Sequence, residues 1–251
     1  MKRKIEGGEI MRRFGLIIGV AILATLTCPG VAAAAAYQEA AISDGGTIKG
    51  TVVYTGAVPM RKIIPTKDAE VCGGVRDEPQ ITLGSGNGVM DAVAYLKGVP
   101  KGKKWDRPTK PPELVNKDCR FHPRVQVIPA GMKLALVNSD PVLHNTHGFL
   151  IKTTVFNVAM PKSGMRVERP LQRPGLVRVE CDAHGWMLAW IYVADNPYYA
   201  MTGKDGTFAI GDVPPGNHTL VVWQEHTGPK EIAVTVKPKE TITVPAVELK
   251  K

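Results

Sequence analysis

Leu176-Val-Arg-Val-Glu-Cys-Asp-Ala-His-Gly-Trp-Met-Leu-Ala-Trp-Ile-Tyr-Val193 decides how the chain is read. Leu176–Glu180 alternates apolar with charged residues, the two-residue period of a half-buried strand. Met187–Val193 is rich in aromatic and β-branched side chains and reads as a second strand. Cys181 follows the first strand and Met187 begins the next. A thiol, the imidazole of His184 and a thioether therefore ride on one tight interstrand loop.

The same punctuation runs outward in both directions. Short apolar or alternating runs recur, separated by Gly, Pro, Asn and Asp, and nothing after residue 37 sustains a helical period. That is the pattern of an all-β sandwich protein. Strands are expected near Thr47–Tyr54, Val89–Leu96, Arg124–Val127, Lys133–Val137, Thr207–Ile210, His218–Trp223, Glu231–Val236 and Thr241–Val247, besides the two above. Lys101 to Asn116 is rich in Lys and Pro and reads as a surface loop or linker. The composition changes after Asp195-Asn196-Pro197. Beyond it, Gly206 and Gly216 supply permissive backbone and Pro214-Pro215 pre-sets a turn.

The first 36 residues are set aside from the fold. A basic opening from Met1 to Arg13 leads into the apolar run Phe14–Leu26 and then to Ala34-Ala35-Ala36, the order of a secretory signal peptide cleaved near Ala36. The apolar run is shorter than the roughly 20 residues a helix needs to span a bilayer, so the mature chain is expected to be exported without a membrane anchor. Removing 36 of 251 residues leaves 215. The signal segment carries +3 of the formal +9, so the mature part is about +6. No basic run is interleaved with aromatics, and nucleic acid is not expected as a partner.

Three cysteines remain after the signal segment: Cys72, Cys119 and Cys181. An odd count in an oxidising compartment asks what the third thiol does. Cys72 and Cys119 are most simply a disulfide. The rival is a second metal site, since Cys119-Arg-Phe-His122 repeats the spacing of Cys181 and His184. Upstream of the loop stands Pro141-Val-Leu-His144-Asn145-Thr-His147, after Asn138-Ser-Asp-Pro. One thiolate, two imidazoles and a weak thioether are the donor set of a mononuclear copper electron-transfer site. Zinc accepts the thiolate and imidazoles too, but a thioether is a poor zinc ligand. His147 would be a fifth strong donor and reads as a surface or neighbouring residue.

These two motifs resemble the copper-binding parts of the plastocyanin- and amicyanin-like cupredoxin family, over roughly residues 85 to 195. The resemblance implies a Greek-key β-sandwich holding one type 1 copper, with His144, Cys181 and His184 as strong ligands and Met187 as the long axial one. It places at Asn145 a residue whose hydrogen bonding steadies the copper loop. The stretch from about 198 to 250 resembles the small carboxypeptidase regulatory-like, carbohydrate-binding-like sandwich. The expected organisation is a signal peptide over 1–36, a β extension over 37–84, a copper domain over 85–197 and a second small β-sandwich over 198–251.

The resemblance implies a periplasmic or envelope carrier of single electrons, not an enzyme. An acidic redox protein, such as a c-type cytochrome or a dehydrogenase, is the expected partner. A multicopper oxidase would need paired His-x-His motifs, and a binuclear copper centre a second cysteine on the loop; neither is present. Copper delivery is the nearest alternative. An envelope binding module is another, in which Trp223, Tyr198 and Tyr199 would stack on sugar rings, although such aromatics more often pack.

Overall fold

Buried and exposed side chains alternate strand by strand in the computed structural model, which describes Met1 and residues 37–250. In Thr153–Met160 the inward residues are Phe156, Val158 and Met160; in Glu113–Lys117 they are Leu114 and Asn116. Among the described residues helix is confined to the single turn Ala69–Cys72 and the 3-10 turn Ser85–Asn87. The expected signal segment lies outside the described residues. No helix among those described is long and apolar enough to cross a membrane.

The account that follows concerns residues 37–250, which fall within one compact unit. In it, two pairs of sheets each enclose a core. The first pair contains a five-stranded sheet, ordered Thr153–Met160, His144–Leu150, Gly175–Glu180, Leu188–Ala194 and Val125–Pro129. All its neighbours are antiparallel except the last two. The facing sheet runs Arg166–Pro170, Lys133–Asn138, Glu113–Lys117, Arg120–His122. Leu114, Leu134, Leu136, Phe156, Val177, Val179 and Ile191 fill the space between them. A Cβ on Gly148 would come within 2.4 Å of the Phe156 ring, so the absence of a side chain there lets that ring lie across the strand.

The second pair is built from both ends of the described stretch, residues 37–250. One sheet orders Tyr199–Met201, Val93–Leu96, Gly216–Gln224 and Gly228–Val236. The other sets Gly46–Tyr54 between Thr207–Val213 and Thr241–Thr243, with Val247–Leu249 also pairing to Gly46–Tyr54. The division expected at residue 85 does not follow this hydrogen bonding. Gly46–Tyr54 and Val93–Leu96 complete the C-terminal sandwich, because their inward Ile48, Val52, Ala94 and Leu96 share a core with Leu220, Val222 and Val234. The first sandwich is thus an insertion in the second. Lys101 to Asn116 is likewise not all loop: Lys101–Gly102 pairs with Gln38–Glu39, and Glu113–Lys117 is a sheet strand.

A third cluster joins the two sandwiches. Tyr95 stacks on Tyr192 with ring centroids 4.2 Å apart, and Trp190 meets Trp223 edge-on at 5.3 Å. Aromatic pairs of this kind contribute about 0.5–1.5 kcal/mol beyond their burial. Glu225 crosses the same junction, accepting from Arg124 at 2.7 Å and from the Trp190 indole at 3.1 Å.

Candidate metal centre

The spacing of three along the loop has a backbone cause. The His184 N–H donates to the Cys181 carbonyl at 3.2 Å, and the Met187 N–H donates to the His184 carbonyl at 2.9 Å. Two successive turns of this kind bring residues 181, 184 and 187 back on one side of the loop. His144 reaches the same place from the neighbouring strand as the first residue of His144–Leu150. Its register partner across the sheet is Met160, and alternation turns His144, Thr146 and Gly148 inward.

Three donor atoms converge. Cys181 Sγ lies 3.9 Å from His144 Nδ1 and 3.6 Å from His184 Nδ1, and the two Nδ1 atoms are 3.0 Å apart. His144 and His184 are fully buried and Cys181 is 1% exposed, so bulk water does not reach the triangle. Met187 is buried at the end of the second turn, in the same core cluster as Cys181.

Each imidazole is held by a carboxylate on its far nitrogen. Asp140 Oδ2 is 2.7 Å from His144 Nε2, and Asp68 Oδ2 is 2.9 Å from His184 Nε2. A carboxylate accepts, so the ring hydrogen sits on Nε2 in both residues and the Nδ1 lone pairs point inward. Burial pushes the Asp140 carboxyl up, but the N–H groups of Cys119 and Asp118 and the His144 ring together hold it below its ordinary value. Burial pushes the His144 pKa down, further than Asp140 raises it, which keeps the ring neutral and able to ligate.

The Cys181 thiol is pushed up by burial, while N–H groups of Asn145, Ala183 and His184 pull the other way. The Asn145 N–H approaches Sγ at 3.4 Å. The side chain of Asn145 spans the loop: its Oδ1 accepts from the Asp182 N–H at 3.0 Å, and its amide donates to Asn157 Oδ1. His147 lies on the other face of its strand, paired with Asp182 at 3.1 Å and Thr154 at 2.9 Å, and does not converge on the triangle.

Two imidazole nitrogens and a sulfur, all within 4 Å of one another and closed off from bulk water, form a donor set that fits a metal ion. The soft sulfur combined with imidazole selects copper or zinc over hard cations.

Cys72 and Cys119 form a disulfide, with Cα atoms 5.0 Å apart and a sequence separation of 47. The alternative of a second metal site at Cys119 and His122 is thereby set aside: the Cys119 sulfur is already bonded, and His122 is exposed at its strand end. Trp186 packs 5.0 Å from the His184 ring and donates its indole N–H to the Cys119 carbonyl at 3.3 Å. Trp223 is 6% exposed and Tyr198 is fully buried; both belong to the interior.

Sequence reasoning did not find Asp68 and Asp140. Asp140 sits in the Asn138-Ser-Asp-Pro turn, four residues before His144, and a local Asp-x-x-x-His pairing was its available signal. Asp68 lies 116 residues from His184 and carried none.

No protein-family model matches the chain, and no curated protein matches it. Among solved structures it is similar to a purple cupredoxin from Nitrosopumilus maritimus, at 20% identity over 33% of this chain and 99% of that one, with a TM-score of 0.30. An amicyanin from Paracoccus versutus matches at 17% identity over 36% of this chain and 86% of that one, with a TM-score of 0.31. A copper-containing nitrite reductase from Thermus scotoductus matches at 24% identity over 38% of this chain and 25% of its own length, with a TM-score of 0.30.

Proposed function

We propose that the protein is an exported type 1 copper protein that carries single electrons and is not itself an enzyme. The observation behind this reading is the buried triangle of Cys181 Sγ, His144 Nδ1 and His184 Nδ1, with both Nε2 atoms committed to carboxylates. Copper bound there would supply a one-electron Cu(I)/Cu(II) couple. Cys181 would hold it as a thiolate and the two histidines through Nδ1, with Met187 as a weak axial thioether. The thiol proton leaves when the metal enters, so loading releases acid.

The surrounding residues make the centre stiff. The loop is closed by two backbone turns, Asn145 bridges its two arms, and both imidazoles are fixed from behind. A frame held in this way limits rearrangement between oxidation states, which favours fast electron exchange. The formal charge of about +6 on the mature part favours an acidic redox partner in the periplasm or envelope.

Loading the mature chain with one equivalent of Cu(II) tests the reading. An intense visible thiolate-to-copper band and a reversible one-electron couple are expected. Rapid surrender of Cu(I) to a chelator would indicate delivery instead of carriage. A fully loaded Cu(II) protein without the band would refute a type 1 centre.

A further inference from the structure

The carboxylate on His184 comes from outside both sandwiches. Residues 60–79 form a strap: the strand Met60–Ile63, the turn of helix Ala69–Cys72 and the strand Arg76–Pro79, which pairs back on the first. The strap is tied down at four points around the loop. The Arg61 guanidinium donates to the Trp186 carbonyl, Asp68 accepts from His184, Cys72 is bonded to Cys119, and Glu78 pairs with Arg120 at 2.9 Å.

Asp68 is misused as a helix cap. It occupies the N-cap position, where an Asp side chain ordinarily accepts an N–H of the first turn. Here the side chain makes no capping bond; its Oδ2 goes to His184 Nε2. Its backbone is also left-handed, with φ of 53°, a conformation that costs a non-glycine residue energy and points to a constraint imposed by the surroundings.

A continuous chain of bonds links the two imidazoles from behind. His144 is bound to Asp140, Asp140 accepts the Cys119 N–H at 2.9 Å, Cys119 is bridged to Cys72, and one helical turn leads from Cys72 back to Asp68 and His184. The bridge sulfurs and a ring nitrogen of His184 lie within 4.8 Å of one another.

We infer that Asp68, held in place by the Cys72–Cys119 bridge, is a positioning residue that fixes the tautomer and orientation of His184. The inference deepens the proposed copper reading but does not need copper for its first test. Asp68 sets which nitrogen carries the hydrogen, and the bridge sets where Asp68 can reach. Carboxylate partners of metal-bound histidines, when lost, typically cost 10–100-fold in affinity.

The test is side-chain ¹⁵N NMR on the metal-free protein at one neutral pH, followed by Cu(I) competition titration. His184 should be the Nε2–H tautomer in the wild type. Asp68→Ala should give a mixture of tautomers at His184 with His144 unchanged, and Cu(I) affinity should fall 10–100-fold. Asp68→Asn keeps an acceptor oxygen and should restore both. Cys72→Ser with Cys119→Ser should reproduce the Ala result at His184. Glu70→Ala, in the same helical turn, should leave His184 as in the wild type. The inference is overturned if Asp68→Ala leaves the His184 tautomer intact, if Asp68→Asn behaves like Asp68→Ala, or if Glu70→Ala disturbs the ring equally. Failure of the wild type to bind copper would refute the functional reading and leave the tautomer result standing.

Discussion

Both sandwiches bury side-chain amides that close off backbone carbonyls, Asn138 on the Met160 carbonyl among them, but the inserted one also buries two imidazoles beside a thiol. In the C-terminal one, Asn196 donates to the Leu96 carbonyl, Thr202 to the Val89 carbonyl and Gln224 to the Gln80 carbonyl, each closing off a backbone group that would otherwise be lost to water. In the inserted one, His144 and His184 give one ring nitrogen to a carboxylate and leave the other facing a thiol. Buried polar groups are tolerated when every one is satisfied. The first arrangement meets that condition within the protein. The second turns three donor atoms toward one another within 3.9 Å, a group that could hold a metal ion.

The sharpest way to break this contrast is Cys181→Ser. It should abolish the visible band of the copper-loaded protein entirely, while thermal unfolding of the metal-free chain moves little; a retained band would put the sulfur elsewhere. Next in size is the bridge. Closing a loop across a sequence separation of 47 contributes about 4 kcal/mol in the chain-entropy treatment. Cys72→Ser with Cys119→Ser should lower urea stability by roughly that amount, and the denatured wild type should titrate one reactive thiol. Three reactive thiols would contradict the bridge.

Leu220→Ala sharpens the comparison from the other side. Leu220 is fully buried in the C-terminal core, so truncation should cost about 2–5 kcal/mol in denaturant unfolding and leave the copper spectrum unchanged. A spectral shift would show that the two cores are coupled through the aromatic junction. The smallest effect concerns acid. Burial raises the Glu78 pKa, but Arg76 and Arg120 more than offset this and hold it below its ordinary value. The folded chain therefore binds fewer protons there than the unfolded one. That stability is present above about pH 4.3 and is lost as the pH falls through the lower folded value. Glu78→Gln should flatten this part of the acid unfolding curve; an unchanged curve would remove Glu78 as an anchor of the strap.

Most of this was legible where one side chain's position follows from its neighbours. Cys181, His184 and Met187 are spaced by two turns, and alternation in Gly175–Glu180 and Leu188–Ala194 is plain. The odd cysteine count pointed to Cys72 and Cys119 as partners. His144–Leu150 was missed as a strand because three of its four inward positions are His144, Thr146 and Gly148, which leaves Leu150 as the one apolar residue among them. Arg166–Pro170 has Val167 as its one aliphatic residue and also went unseen. The pairing of Gly46–Tyr54 with Thr207–Val213 joins segments more than 150 residues apart, and periodicity holds no information about such partners. Asp68 is the extreme case, since its role exists only once the strap is stapled over the loop.

X-ray absorption at the copper edge of the singly loaded protein tests the central claim most directly. The account predicts a first shell of one thiolate sulfur and two imidazole nitrogens, with the sulfur lost in Cys181→Ser. A shell of nitrogen and oxygen alone in the wild type would contradict it.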